Sequence, residues 1–158
     1  MSPLPLPIRW DRRFLHLASL VAGWSKDPST KTGAAIVRPD RTVVSVGYNG
    51  FPRRMRDDLA LLRDRAIKYS RTIHCEMNAI LSARERLDGC TLYTMPFLTC
   101  DRCAVHVVQA GIRRVVSIMA TDDQLDRWGE SFELARSYYH EAGIQVVEYA
   151  PDLIELVR

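Results

Sequence analysis

The sequence predicts an α/β domain: a mixed sheet with helices on both faces. Two observations carry this reading. Residues 32–48 pattern as a β-hairpin, and after residue 73 helix-like and strand-like segments alternate in short units. Size adds a limit, because 158 residues with 47% hydrophobic content support one core and leave little room for a second.

The elements follow in chain order. Residues 1–9 hold three prolines and read as a loose proline-rich arm, ahead of a single domain over residues 10–158. Over residues 10–23, Phe14, Leu15, Leu17, Leu20 and Val21 recur at helical spacing behind Asp11, Arg12 and Arg13. The stretch 25–31 (Ser-Lys-Asp-Pro-Ser-Thr-Lys) is a polar loop. Residues 32–38 and 42–48 read as strands around the turn Pro39-Asp40-Arg41. The charged stretch 49–71 reads as part loop and part helix. Residues 73–86 look helical, with Ala79, Ile80 and Ala83 facing inward. Thr91–Met95 is a strand, 100–110 a helix stopped by Gly111, and 114–119 a strand. Residues 130–142 form a helix stopped by Gly143, and Gln145–Tyr149 closes the series as a strand. Periodicity supports the class but not the order of the strands.

Composition excludes several functions. Four Phe, three Trp and six Tyr rule out a disordered chain. Lys and Arg outnumber Asp and Glu by 22 to 19, a net charge of +3. That is far from the basic footprint of a dedicated nucleic-acid binder, yet it suits a small anion. No apolar run approaches a membrane span. The start lacks the basic region of an export signal, so the expected compartment is the cytoplasm and the four Cys are expected as thiols.

Thiols in that setting raise the question of metal. Cys100-Asp101-Arg102-Cys103 opens one helix-like segment and His74-Cys75-Glu76 opens another. Cys100 and Cys103, three apart at a helix start, can face one point, where the helix N-terminus favours thiolates. His74 with Cys100 and Cys103 suits Zn²⁺ and leaves a fourth position for water, which zinc acidifies into a nucleophile. Glu76, two residues from His74 in a first turn, is placed to shuttle a proton rather than to ligate. The alternative is a structural site with a fourth protein ligand. Cys75 directly follows His74 and would rarely reach the same ion; spacing does not exclude Cys90.

With these residues in place, the sequence resembles the cytidine and deoxycytidylate deaminase superfamily, and within it the deoxycytidylate (dCMP) deaminases. The likeness spans about residues 10–149. It rests on Trp10-Asp11, Ser25-Lys26-Asp27-Pro28, the run Thr32-Gly33-Ala34-Ala35-Ile36-Val37, and Gly47-Tyr48-Asn49-Gly50-Phe51-Pro52. It continues through Asp57-Asp58, Lys68-Tyr69, His74-Cys75-Glu76-Met77-Asn78-Ala79-Ile80, Leu92-Tyr93, Cys100 to Ala104 and Gln109-Ala110-Gly111-Ile112. The zinc motif points to the superfamily, and Gly47-Tyr48-Asn49-Gly50 to the dCMP branch. One departure stands out: Thr99 occupies the position before the first zinc Cys where the family usually has Pro. Here the proline is Pro96, in a loop that commonly borders the pyrimidine. Thr99 also reads as the N-cap of the helix beginning at Cys100.

The resemblance implies a three-layer α/β/α cytidine deaminase-like domain on a five-stranded mixed sheet. It implies one catalytic Zn²⁺ per subunit on His74, Cys100 and Cys103, with Glu76 as base and then acid in converting dCMP to dUMP and ammonia. Asn49 and Cys75 match substrate-side positions. Ser25, Lys26 and Lys31 are candidates for the 5′-phosphate, against the plainer reading of a solvated loop. Arg53, Arg54 and Arg56 are candidates for a nucleotide effector, dCTP activating and dTTP inhibiting, with Mg²⁺. A homo-oligomer is implied, a hexamer or a dimer. The rival substrates are a free cytosine nucleoside or base and 5-modified dCMP; editing of tRNA or single-stranded nucleic acid fits the charge and the Gly-Tyr-Asn-Gly motif less well. His16, His106, His140 and Cys90 carry no ligand pattern, and Trp24, Trp128 and Phe132 read as packing residues.

Overall fold

The computed structural model describes residues 6–155. Its centre is a five-stranded sheet in the order β2-β1-β3-β4-β5. The strands are β1 (Gly33–Val37), β2 (Val43–Tyr48), β3 (Thr91–Met95), β4 (Arg114–Ile118) and β5 (Gln145–Tyr149). β1 runs antiparallel to both β2 and β3, while β3, β4 and β5 are mutually parallel, so the sheet is mixed as the hairpin and the later alternation predict.

All of β1 is buried, because successive side chains enter opposite layers. Ala34 and Ile36 join a core with Leu92 and Val115 beneath helices α4 (Cys75–Ser82), α5 (Asp101–Gln109) and α6 (Asp122–Glu141). Ala35 and Val37 join a second core with Tyr93, Val116 and helix α1 (Leu6–Ala22), whose Phe14, Leu15 and Ala18 face the sheet. The result is the three-layer arrangement. Two glycines permit the tightest approaches. A Cβ on Gly33 would lie 2.1 Å from Ala18 O of α1, and one on Gly47 would lie 2.3 Å from Ala79 N and 2.4 Å from Cys75 O of α4.

A polar knot ties α1 to three strands. The buried Asp11 carboxylate accepts from Tyr93 Oη at 2.8 Å, from Tyr149 Oη at 2.6 Å, and from both Arg114 Nη atoms at 2.7 and 2.6 Å. Burial opposes its ionisation, but the bonds from Arg114, Tyr149 and Tyr93 outweigh that and hold the carboxyl below the usual carboxylate range.

Several element ends differ from expectation. Residues 6–9 of the expected arm are helical: α1 starts at Leu6, and Pro7 sits in its first turn, where a missing N–H costs no intrahelical bond. Residues 1–5 of that arm lie outside the described residues. α4 stops at Ser82, short of the charged run Arg84-Glu85-Arg86. α6 begins eight residues before the expected start at 130, at a capping box in which Thr121 and Gln124 bond reciprocally. Gly129 therefore lies inside a helix instead of before one. The stretch 49–71 contains short helices α2 (Leu59–Arg63) and α3 (Arg65–Arg71), and α7 (Asp152–Glu155) follows β5. At the base of that stretch Gly50 and Ile73 exchange two backbone bonds, of 3.1 and 2.8 Å. Among the described residues no helix is long and apolar enough to cross a membrane.

Candidate active site

The start of α4 and the start of α5 meet beyond the carboxyl end of β3. His74 is the N-cap of α4, and Cys100 is the N-cap of α5. Thr99 is thus not the cap. Cys100 takes that place because its Sγ accepts from Cys103 N at 3.4 Å, while the Thr99 hydroxyl turns away to the Tyr139 hydroxyl at 2.6 Å. The preceding Met95–Pro96 peptide is cis.

His74 Nδ1 lies 3.5 Å from Cys100 Sγ and 3.4 Å from Cys103 Sγ. A tetrahedral ion with Zn–S of about 2.3 Å and Zn–N of about 2.0 Å requires nitrogen–sulfur edges of about 3.5 Å. The donors therefore fit zinc in both chemistry and spacing. Among the described residues this group holds three donors, leaving a fourth position for water. Cys90 belongs to the core at the opposite end of β3, roughly 16 Å of strand away, and does not complete a four-ligand structural site.

The three donors shift one another's protonation. A hydrogen bond from the Cys103 thiol, helped by His74 against the effect of burial, brings Cys100 down to about 4. The bond to Cys100 raises His74 to about 9, and Cys103 is pushed up by its bond to Cys100 and by burial. Metal binding at these donors is linked to proton release. Glu76 lies buried beside them, and burial raises its carboxyl above the usual range.

His74, Glu76 and Cys100 line a cavity of about 530 Å³. Asn49 lines it too. Its amide accepts from Thr32 N at 2.8 Å and donates to Thr30 O at 2.9 Å, pinning the 25–32 loop while leaving one N–H and one lone pair. One wall is aromatic: Phe97 packs at 5.1 Å from Trp128 and 5.4 Å from Phe132, measured between ring centroids. Arg65, Lys68 and Arg127 supply positive charge. Lys68 is buried, with Nζ 3.3 Å from both Asp27 Oδ1 and Ser29 Oγ.

Other sequence candidates lie elsewhere. Ser25 is buried and its hydroxyl is committed to Asn49 O at 2.8 Å. Lys26 pairs with Asp57 at 2.8 Å on the surface, and Lys31 is exposed. None of the three lines the cavity. Cys75 faces the core, where burial raises its thiol well above the usual range, and it too is absent from the lining. Of the three arginines after Pro52, Arg53 borders a second hollow of about 340 Å³ with Tyr48 and Asn78. Arg54 takes a turn conformation with φ of 69°, and Arg56 pairs with Asp58 at 2.8 Å. Trp24 is surface-exposed against Tyr48, but Trp128 and Phe132 are cavity wall as well as packing. Sequence reasoning missed the site role of Arg65, Phe97 and Arg127, and named Lys68 only as part of the resemblance. The Thr121–Gln124 capping box was the available signal, since a helix from Asp122 sets Trp128 and Phe132 one turn apart on one face.

Comparison with known proteins gives a consistent result. The profile of the cytidine and deoxycytidylate deaminase zinc-binding region matches residues 8–119. An Aliivibrio fischeri protein named as an uncharacterized deaminase in the luxG 3′ region is 41% identical, over 93% of this chain and 98% of that one. The deoxycytidylate deaminase of Mus musculus is 34% identical, over 95% of this chain and 85% of the relative. A crystal structure of the dCMP deaminase of cyanophage S-TIM5 with dCMP and dUMP superimposes with a TM-score of 0.70 at 20% identity, over 91% of this chain and 98% of that one, a likeness of fold.

Proposed function

Because the chain belongs to the cytidine and deoxycytidylate deaminase zinc-binding family, we propose that it hydrolyses dCMP to dUMP and ammonia. The observation that carries this reading is one cavity lined by His74 and Cys100 of the His-Cys-Cys cluster, a buried carboxylate, an aromatic wall and three cations. Relatives named deoxycytidylate deaminase at 34% and 32% identity support the substrate.

His74, Cys100 and Cys103 hold the zinc. When bound, zinc supplies a water acidified toward neutrality. Glu76 accepts a proton from the attacking water and delivers it to N3 of the pyrimidine as oxygen adds at C4. Glu76 then moves the proton of the new C4 hydroxyl to the amino group, and the C4–N bond breaks to release ammonia as the C4 carbonyl forms. The burial of Glu76 suits both acts, because a carboxyl raised above its usual range holds a proton more readily than an exposed one. Phe97, Trp128 and Phe132 exclude water and face the base. The free N–H and lone pair of Asn49 meet the sugar or base edge. Arg65, Lys68 and Arg127, which line the cavity, neutralise the 5′-phosphate; Ser25, Lys26 and Lys31 are absent from that lining.

The test is ammonia release by the zinc-loaded protein with dCMP, deoxycytidine, CMP and 5-methyl-dCMP side by side. Two charge-assisted bonds to the phosphate predict a preference for dCMP over deoxycytidine of about 100-fold or more in kcat/KM. Equal efficiency on the two removes the phosphate assignment, and no turnover of any of the four removes the function.

A further inference from the structure

Cys100, like His74, is held only at the edge of its helix. Cys103 lies inside the first turn of α5, whereas Cys100 stands at its edge, after the extended segment that leaves β3. Its backbone carbonyl holds Ala104 N at 2.9 Å and its Sγ accepts from Cys103 N at 3.4 Å, while the path of the chain into and out of the residue sets where that thiol starts. Both flanking residues are fastened to α6. Before it, the Thr99 hydroxyl shares a 2.6 Å hydrogen bond with the Tyr139 hydroxyl, and both residues are fully buried. After it, Ser131 Oγ donates to Asp101 Oδ1 at 2.5 Å and accepts from Asp101 N at 3.0 Å. The two anchors lie on a helix that also packs along α5 and lends Arg127, Trp128 and Phe132 to the cavity.

We propose that Tyr139 and Ser131 are positioning residues for the metal centre, aiming Cys100 at His74 and Cys103 before the ion arrives. The inference rests on the zinc reading above. A buried hydroxyl pair stabilises little compared with an apolar pair of the same shape. What the Thr99–Tyr139 pair supplies is a fixed distance between α6 and the residue before the ligand. Partners just outside a metal's ligands typically change affinity by about 10- to 100-fold.

The experiment measures zinc affinity of the full chain by chelator competition, with the thiolate-to-cobalt charge-transfer band of the Co²⁺ form as a second readout and Tm of the metal-free protein as a third. The variants are Tyr139→Phe, Thr99→Val, Thr99→Ser, Ser131→Ala and the double Thr99→Val/Tyr139→Phe. Zinc affinity is expected to fall about tenfold in Tyr139→Phe, Thr99→Val and Ser131→Ala, with an altered cobalt band, while Thr99→Ser stays at the parent value. In the double variant, Tm recovers toward the parent and zinc affinity does not. Affinities within twofold of the parent throughout, or losses that recover with Tm in the double variant, overturn the proposal and leave a packing role alone. A parent that binds neither zinc nor cobalt more tightly than His74→Ala overturns the metal centre itself, and the proposal with it.

Discussion

Cys75 and Glu76 are neighbours with opposite assignments. Both are buried, and burial raises both, yet one turns into the core and the other into the cavity. The second carboxylate of the cavity, Asp27, is already engaged: its Oδ1 accepts from Ser29 N, Thr30 N and Lys68 Nζ. Proton transfer therefore falls to Glu76. Glu76→Gln is expected to keep its zinc by metal analysis and to lose about 10²- to 10⁴-fold in ammonia release. An equally active variant would end the case for its role. At this scale the grouping of His74, Cys100 and Cys103 with Glu76 nearby was legible, because local spacing at two helix starts is enough to bring them together. Which cations line the cavity was not. Whether a lysine or arginine faces a cavity depends on which elements close around it, and Lys26 finds Asp57 instead. Lys68, Arg65 and Arg127 reach the site from α3 and α6, segments whose placement no local pattern announces.

The helix that carries Glu76 is held against the sheet by backbone contact, and Gly47 is what allows it. A methyl group there would strike Ala79 N and Cys75 O, atoms of a helix backbone that have no rotamer to yield. Gly47→Ala is expected to lower stability by about 1–3 kcal/mol in urea unfolding and to weaken zinc binding, since α4 must move and His74 moves with it. An alanine variant with parental zinc affinity would show that β2 gives way instead. Element existence followed from periodicity, whereas element ends followed from caps. Where a cap goes uncounted, as with Thr121 and Gln124, the expected helix starts late, at residue 130 instead of Asp122. Pro7 misled in the same way at α1, since proline in a first turn breaks nothing.

Across the molecule, strand order was beyond periodicity, because each strand carries enough apolar surface to pair with several others, whereas helices on both faces of the sheet followed from the hairpin and the later alternation. The knot at Asp11 does fix relations between distant segments, joining α1 to β3, β4 and β5. Its carboxyl is held below the unfolded value of about 3.9, so its contribution is fully present above that pH and disappears as pH falls through the lower folded value. Urea midpoints followed from pH 6 to pH 2 are expected to drop below about pH 4 in the parent. Asp11→Asn is expected to start lower at pH 6, by on the order of 2 kcal/mol, and to show a shallower acid loss. Identical slopes would assign the acid sensitivity to other carboxylates. The Gly50–Ile73 bridge has a different kind of consequence. It closes residues 51–72 into a ring at the neck, immediately between Asn49 on one side and His74 on the other. The chain length of that ring is then decoupled from the separation of its two ends, and lengthening a loop already closed costs only a slowly growing entropy. Residues can be gained or lost around Arg53 and Arg54 without changing the gauge of the active site, which makes this excursion the place where one catalytic frame can accept new appendages.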